Sequence, residues 1–519
     1  MKKIIIAALA AAFTTASAQE AIIPSAHHHI AQKTNATVTP EGEMRYYEMS
    51  AYLYQSIGLE YVEGLVNQVY LAPDGKTVYL GSLFPNSFRT ADMWLEGTIS
   101  TDKDGREIIT IPSTKPFFST GWDEIYVGEV WFDEDTYETK VKDITLVKDG
   151  DHIYIEDNVN DYSRCLIAYE DDYGDIETVD VAYCVDMKPY EGNTQTVEVP
   201  ATAERKDYIY YSLDTYGALT AIKSTVAVDG DDYYFDTLLP NIAPAWVKGT
   251  RRGDEITVPQ GQFLGADCGH YLYSAAFRPT SYDEAEGQYV GTPCDMNFSV
   301  GADGVITFST PQPSFITALQ NDGKQYDCVY ENRLVPYVGD VPAQPSEPTE
   351  LSYEDYSATS STGCFAFDFV FRNLSVDNKY LNPEKLGYYI YLNGERLTFS
   401  RDVYTAIHED EMTLVPFGYT DTAGYDFYSA GGWNEVYVYT PDFETLGVQA
   451  VYTVDGETRV SNIATITRDG DVEVVVPVGI VSLTTSEPYD LKTSIFDLYG
   501  RRATNARGLR IENGKITIR

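Results

Sequence analysis

The amino-acid sequence predicts an all-β fold with tandem β-sandwich or barrel domains. Aromatic residues are abundant, with 43 Tyr and 21 Phe in 519 residues, and aromatic side chains suit the pleated, half-buried surface of a sheet. Turn dipeptides such as Asp-Gly recur at the short intervals that are typical of antiparallel strands. Long apolar patterns of helical period are rare. These observations together predict sheets through most of the chain.

The N-terminus has the features of a secretory signal peptide over residues 1–18. Lys2 and Lys3 give a positive start, residues 4–13 form a short apolar run, and Ala16-Ser17-Ala18 fits a small-x-small cleavage site. The apolar run is too short to span a bilayer, and no later segment predicts a membrane span. We therefore expect a chain that leaves the cytoplasm.

An internal duplication organises the next part of the chain. The motifs Asp-Gly, Leu-x-Pro-Asn, Trp-x-x-Gly-Thr, Ile-Thr-x-Pro and Pro-Tyr occur in the same order twice, beginning at Asp74 and at Asp229. The interval between the starts of the two copies has the size of a domain. The sequence therefore predicts two homologous β-domains, repeat 1 over residues 36–192 and repeat 2 over residues 193–340.

A third domain is predicted after a break in composition. Residues 341–350 are rich in proline and predict a semi-rigid linker. From residue 351 to 470, short strands flank tight turns at Asn393-Gly394 and Asp455-Gly456. One strand alternates strictly, which predicts a single aromatic face made by Phe365, Phe367, Phe369 and Phe371.

The pattern of residues 446–462 resembles the last hairpin of a fibronectin type III-like sandwich. It includes Leu446-Gly447-Val448 and Asp455-Gly456, followed by Ser461-Asn462. This resemblance implies a β-sandwich of the kind that spaces or presents other domains.

The C-terminal tail, residues 478–519, carries a second resemblance. Ile495-Phe496-Asp497-Leu498-Tyr499-Gly500-Arg501 precedes a stretch that alternates around Asn513-Gly514. This tail resembles the C-terminal sorting domain of the type IX (Por) secretion system, except that Arg510 stands where that family has Tyr. The resemblance implies a small C-terminal β tail that contacts the secretion machinery, and a location at the surface of a Gram-negative bacterium or in its medium.

The charge of the chain excludes several classes of partner. The formal net charge is −42, from 79 acidic and 37 basic residues. Nucleic acid and anionic membranes are not expected partners because their phosphates would be repelled. Calcium is compatible with such an acidic extracellular protein. The segment Asp102-x-Asp104-Gly105-x-Glu107 slightly resembles a calcium loop, although a solvated hairpin tip is the simpler interpretation.

The sequence contains none of the usual catalytic or metal-binding signatures. No G-x-S-x-G or H-E-x-x-H motif is present, and the six cysteines include no C-x-x-C pair that would indicate zinc or redox chemistry. His27-His28-His29 is the one histidine cluster, in a tail without a scaffold to hold a metal. We therefore expect no cofactor, with calcium as the one alternative left open, and a protein without catalysis more readily than an enzyme.

Trp94 and Trp246 are the candidate ligand-binding residues. Each opens a Trp-x-x-Gly motif in its own repeat. One interpretation places them in the core, where the glycine permits a bulge or close packing. The other makes them stacking platforms for sugars, whose apolar C–H faces match flat rings.

The sequence as a whole predicts a secreted or cell-surface binding protein. Glycans are the favoured ligand class and surface proteins the other expected partners, since two weak sites on one chain would raise the effective affinity. Two alternatives remain open: a structural protein of a surface assembly, and a hydrolase of extracellular polysaccharide whose carboxylates are hidden among the many acidic residues.

Overall fold

The structure, a computed structural model, describes most of the chain between residues 38 and 475 and a short C-terminal hairpin. The gaps are 56–57, 82, 85–93, 120–123, 134–137, 157–163, 173–174, 268, 284–286, 357–362 and 422–425, and the hairpin comprises 509–512 and 515–518. The predicted signal peptide, the histidine cluster and residues 478–508 of the predicted tail lie outside the described residues.

The all-β fold class is confirmed, and repeat 1 forms the first sheet. Its strands are β1 Glu43–Gln55, β2 Gly58–Leu71, β3 Thr77–Gly81, β4 Trp94–Thr101, β5 Glu107–Ile111, β6 Phe118–Ser119, β7 Glu124–Asp133, β8 Glu138–Lys142, β9 Ile144–Asp149, β10 His152–Tyr154, β11 Arg164–Asp172 and β12 Asp175–Pro189.

This first sheet closes on itself. Strands β1, β2, β3, β4, β5, β9, β10 and β12 pair in that order, and β12 pairs back with β1. The long strand β12 pairs with β1 along one edge and with both β10 and β11 along the other. Strand β11 then pairs with β7, and β7 pairs with β6 and β8. Because closure pairs the two end strands of the ring with each other, these strands satisfy each other's backbone groups.

Repeat 2 forms a second sheet with the same strand order. Its strands are β13 Glu204–Leu213, β14 Leu219–Asp229, β15 Asp232–Phe235, β16 Val247–Arg252, β17 Glu255–Val258, β18 Gln262–Asp267, β19 His270–Asp283, β20 Gln288–Cys294, β21 Met296–Val300, β22 Ile306–Phe308, β23 Phe315–Gln320 and β24 Gln325–Pro336. The ring again closes, here by pairing of β13 with β24.

The two barrels share an irregularity in the backbone of the closing strand. Cys184 in β12 has φ 52° and Glu331 in β24 has φ 51°, and each lies five residues before the proline that ends its strand. In repeat 1 the pairing of β1 with β12 shifts register next to Cys184, between the pairs of Ser50 and Tyr52. The duplication predicted from sequence motifs therefore extends to a left-handed residue that no motif contains.

Each barrel has an interior of alternating apolar side chains. In β3, Val78 and Leu80 are buried and their neighbours are half-exposed; in β17, Ile256 and Val258 are buried. Burying such a side chain fully contributes about 1.5–3 kcal/mol. The two-residue period of the sequence is therefore what directs these strands to face the barrel interior.

A tyrosine seam joins the two barrels, and it is centred on the buried Tyr271 of β19. Its hydroxyl donates to the carbonyl oxygen of Tyr47 and lies 3.2 Å from that of Asn67, both in repeat 1. The ring of Tyr190 stacks on that of Tyr271, with centroids 4.0 Å apart, and the hydroxyls of Tyr190 and Tyr273 lie 2.7 Å apart. Burial raises the pKa of Tyr271 far above its usual range, so the phenol stays a hydrogen-bond donor.

The third domain contains a sandwich of two main sheets and a separate two-stranded sheet. Its strands are β25 Thr349–Asp355, β26 Phe365–Val370, β27 Leu386–Leu392, β28 Glu395–Arg396, β29 Phe399–Ser400, β30 Glu411–Met412, β31 Val415–Pro416, β32 Phe427–Ala430, β33 Trp433–Val438, β34 Thr445–Val454, β35 Glu457–Val460, β36 Ile463–Thr467 and β37 Val472–Val475, with one 3-10 turn at Pro383–Lys385. We call β25-β26-β33-β32 the front sheet and β28-β27-β34-β36-β37 the back sheet.

The phenylalanine stripe predicted from the sequence faces the core of this sandwich. Phe365, Phe367, Phe369 and Phe371 are all buried, in one cluster with side chains of the back sheet such as Ile390. The proline-rich segment that precedes the domain also lies against it. There the N–H of Ser346 donates to the carbonyl oxygen of Leu374, and that of Val376 to Gln344.

The tight turns predicted from dipeptides occur where expected. Asn393 and Gly394 have φ 52° and 80°, and Asp455 and Gly456 have φ 50° and 80°, the two successive left-handed residues that a hairpin turn of this kind needs. In the tail, β38 Leu509–Glu512 pairs antiparallel with β39 Lys515–Ile518, and the turn predicted at residues 513–514 lies outside the described residues.

Candidate functional site

Trp94 is the first residue of β4 and is buried on the side of the strand opposite Leu95, which belongs to the core of repeat 1. Only 6% of its surface is exposed, and the edge of its ring meets that of Tyr70 at 4.9 Å and 89°. A sugar needs an open ring face on which to stack, and this conformation does not offer one at Trp94.

Trp246, the corresponding residue of repeat 2, has a different environment. It is half-buried just before β16, and the guanidinium carbon of Arg205 lies 5.6 Å from the centre of its ring. This cation–π contact occupies one side of the ring. The two candidate tryptophans therefore lie in separate barrels and have unlike neighbours.

The glycine of the Trp-x-x-Gly motif has the same role in both repeats. A Cβ atom on Gly97 would lie 2.7 Å from Cγ2 of Ile109, and one on Gly249 would lie 2.7 Å from Cγ2 of Val258. The strands that contain these glycines keep their pairing register at this point. Close packing of the barrel interior, rather than a bulge, therefore explains the glycine.

The segment that slightly resembles a calcium loop forms a hairpin tip. Oδ1 of Asp102 accepts the N–H groups of Asp104 and Arg106 at 2.8 and 2.9 Å, and Oδ2 accepts Nε of Arg106 at 2.9 Å. Backbone N–H donation from Arg106 is the first cause of a lowered pKa at Asp102. Among the residues that the structure describes, no group of three or more His, Cys, Asp and Glu side chains converges as a metal site would require.

A more promising surface is the outer side of the front sheet. Side chains of successive residues alternate between the two sides of a strand, so the buried phenylalanines of β26 direct Ala366, Asp368 and Val370 outward. The register sets Asp368 between Ser352 of β25 and Glu435 of β33. Two carboxyl groups thus lie side by side at the centre of this surface.

Aromatic rings surround these carboxyl groups. We define the aromatic–acidic face as the outward residues Glu354, Tyr356, Asp368, Tyr428, Trp433, Glu435 and Tyr437. Trp433 and Tyr437 lie two residues on either side of Glu435 in β33, and Tyr428 lies across from Glu435 in β32. Tyr428 and Trp433 form an edge-to-face pair at 5.8 Å, whereas Tyr356 and Tyr437 stack at 5.9 Å and 20°.

Three of these rings are open to solvent. The exposed fraction is 40% for Tyr428 and 37% for each of Trp433 and Tyr356. Neighbouring aromatic rings that are each more than a third exposed mark a surface suited to binding.

The surroundings of the carboxyl groups Asp368 and Glu435 disfavour their charged form. Burial, followed by the negative charges of Glu435 and Glu354, raises the pKa of Asp368 to about 7, and a hydrogen bond from Ser352 offsets part of this. Burial and then the charge of Glu354 raise the pKa of Glu435 as well. Asp368 is 8% exposed, and its Oδ1 has no hydrogen-bond partner.

The sequence carries one signal for this face, in the alternation of β26. Strict alternation in β26 predicted the aromatic stripe, and the same alternation places Asp368 on the opposite side of the strand. The partners Glu354 and Glu435 come from other strands, and only the strand pairing shows that they are neighbours.

Comparison with known proteins leaves the function to be argued from the structure. No protein-family model matches the chain, and no curated protein matches it. In the described part of the chain, no helix has the length and apolar character needed to cross a membrane.

Proposed function

We propose that this chain is a secreted or cell-surface binding protein whose ligand is a glycan. The aromatic–acidic face of the third domain carries this proposal, because it combines open rings with acceptors of hydroxyl hydrogen bonds. Sugars present C–H faces to rings and hydroxyl donors to carboxylates. The secretory features of residues 1–18 and the sorting-like tail are what support an extracellular location.

The order of strands in the third domain is that of an immunoglobulin-like sandwich, an architecture that fibronectin type III-like modules share. Taken along the chain as A, B, C, D, E, F and G, the main strands β25, β26, β27, β32, β33, β34 and β36 give A-B-E-D in one sheet and C-F-G in the other. This is the arrangement of the immunoglobulin-like sandwiches. In this proposal the module binds the ligand itself, and the two barrels form a joined body on the same chain.

A glycan array on the full chain, followed by titration of the best ligand, tests the proposal. Trp433→Ala and Tyr428→Ala should each weaken binding roughly tenfold or more, as loss of a stacking ring does at other binding surfaces. Trp246→Ala is the matched control, since it removes a half-buried tryptophan from another part of the chain. Loss of binding in the control alone would move the site to repeat 2.

The hydrolase alternative has one observation in its favour. A glycosidase needs two carboxyl groups, one of which has a raised pKa, and Asp368 and Glu435 meet that description. They lie on the face of a sheet, however, and Asp368 is almost fully buried. Release of new reducing ends from a bound polysaccharide, lost in Glu435→Gln, would favour hydrolysis over binding alone.

A further inference from the structure

We infer that the aromatic–acidic face selects glycans that carry protonated or quaternary amino groups. This inference rests on the proposed function and specifies its ligand class. The occupant is a polymer of amino sugars with free amines, as opposed to its neutral N-acetylated form.

The first argument is the balance of charge on the face. The charges that act on Asp368 are both negative, one from Glu435 and one from Glu354, and Tyr437 is the other titratable group close to it on the facing strand. Its own strand contributes only Ala366 and Val370 to this side of the sheet. A ligand cation would therefore meet attraction from three carboxyl groups.

The second argument is the unsatisfied oxygen at the centre. Oδ1 of Asp368 is buried without a hydrogen-bond partner, and a buried acceptor left unpaired is unfavourable. A protonated or quaternary amino group on this surface brings positive charge that stabilises the ionised Asp368 through space, whereas an acetamido group brings none. The cationic ligand therefore offsets the unfavourable burial of this carboxylate, which a neutral ligand leaves largely in place.

The third argument is the arrangement of the rings. Trp433, Tyr428 and Tyr437 lie around the carboxyl pair on the same side of the sheet. Cations bind to the faces of Trp and Tyr rings, and the same rings accept the apolar side of a sugar. The rings thus favour both the apolar side and the amino group of an amino-sugar unit, and the carboxylates add attraction for the amino group.

The test compares three matched hexamers with the full chain: glucosamine, N-acetylglucosamine and N-trimethylglucosamine. We expect the two cationic hexamers to bind at least tenfold more tightly than the acetylated one at pH 7. Trp433→Ala should weaken binding of all three. Equal affinity for all three, still lost in Trp433→Ala, would overturn the charge selection and leave the glycan site intact.

Asp368→Asn isolates the central carboxyl group. The trimethylated hexamer keeps its charge at every pH, so its affinity should rise by roughly fivefold between pH 6 and pH 8 as Asp368 ionises, in line with a partly screened ion pair. In Asp368→Asn the affinity should be flat over this range. A rise of the same size in the variant would show that another group titrates and would contradict the inference.

The same variant carries its own control for folding. A carboxyl group with a raised pKa in the folded state favours folding at low pH, and this contribution is lost as the pH rises toward 7. Asp368→Asn should therefore raise the urea midpoint of the third domain, by more at pH 8 than at pH 5. Weaker binding by a more stable variant cannot be ascribed to unfolding.

Non-specific attraction to this acidic chain needs a separate control. Glu395→Gln removes one exposed carboxylate from the back sheet, and it should leave the affinity for the cationic hexamers unchanged. A lysine hexamer measured alongside should bind at least tenfold more weakly than the amino-sugar hexamers. Equal binding of the lysine hexamer, unaffected by Trp433→Ala, would show a general attraction for polycations and refute both the inference and the glycan site.

Discussion

The two barrels share their strand order and several backbone features, but the tryptophan of the shared Trp-x-x-Gly motif has a different environment in each. Both contain the same strand order, a left-handed residue at the same point of the closing strand, and a glycine pressed against the side chains of the next strand. Yet Trp94 is buried against Tyr70, whereas Trp246 is half-buried beneath Arg205. The duplicated features are therefore those that fix the path of the chain, and the side chains around them have diverged.

The largest expected effect comes from the tryptophans themselves. Trp94→Ala should lower the free energy of unfolding of repeat 1 by about 3–5 kcal/mol, because it removes a large ring that is only 6% exposed and packs against Tyr70. Trp246→Ala should cost repeat 2 only about 1 kcal/mol, since that ring is half-buried and not fully enclosed. Urea unfolding with hydrogen exchange in β4 and β16 measures each loss, and equal losses would contradict the difference between the repeats.

The shared glycines should behave alike where the tryptophans do not. Gly97→Ala and Gly249→Ala each place a Cβ about 2.7 Å from a methyl group of the neighbouring strand, so each should destabilise its barrel by about 1–3 kcal/mol through overpacking. Thr98→Ala, at the adjacent exposed position, is the control and should change stability by less than about 0.5 kcal/mol. A tolerated alanine at either glycine would show that the interior adjusts more easily than its packing indicates.

The features that could be predicted from the sequence are those encoded within a few residues. The turns at Asn393-Gly394 and Asp455-Gly456 require successive left-handed residues, and these dipeptides tolerate that conformation. The phenylalanine stripe of β26 follows from strict alternation. Closure of the barrels could not be predicted in the same way, because it pairs β1 with β12 across more than a hundred residues, and local patterns do not specify such partners.

The candidate site was harder to predict than the fold for a related reason. An Asp between two phenylalanines suggests a solvent-facing position, yet the outer side of the front sheet buries Asp368 among residues of β25 and β33. Trp94 and Trp246 are prominent in the sequence because they recur, but their recurrence reflects the shared backbone of the repeats. The exposed Trp433 lies outside the two repeats, so no repeated motif marks it in the sequence.

The seam between the barrels should show an intermediate effect. Tyr271→Phe removes the hydroxyl that reaches the carbonyl oxygens of Tyr47 and Asn67, and loss of a buried hydrogen bond costs about 1–2 kcal/mol. Hydrogen exchange should show repeat 1 and repeat 2 opening more independently in this variant. Tyr273→Phe, whose hydroxyl partner Tyr190 is only partly buried, should have a smaller effect, and a reversal of this order would argue against Tyr271 as the centre of the seam.

The smallest expected effect concerns the left-handed residue of the closing strand. Glu331 is exposed, so substitutions there report on the backbone with little change in packing. Glu331→Gly removes the strain of a side chain at positive φ but adds freedom to the unfolded chain, so stability should change by less than about 0.5 kcal/mol. Glu331→Val should cost about 1–2 kcal/mol, because a β-branched residue is strained in this conformation. Thermal unfolding of the two variants tests this difference, and a valine as well tolerated as glycine would show that the closing strand does not require the left-handed residue.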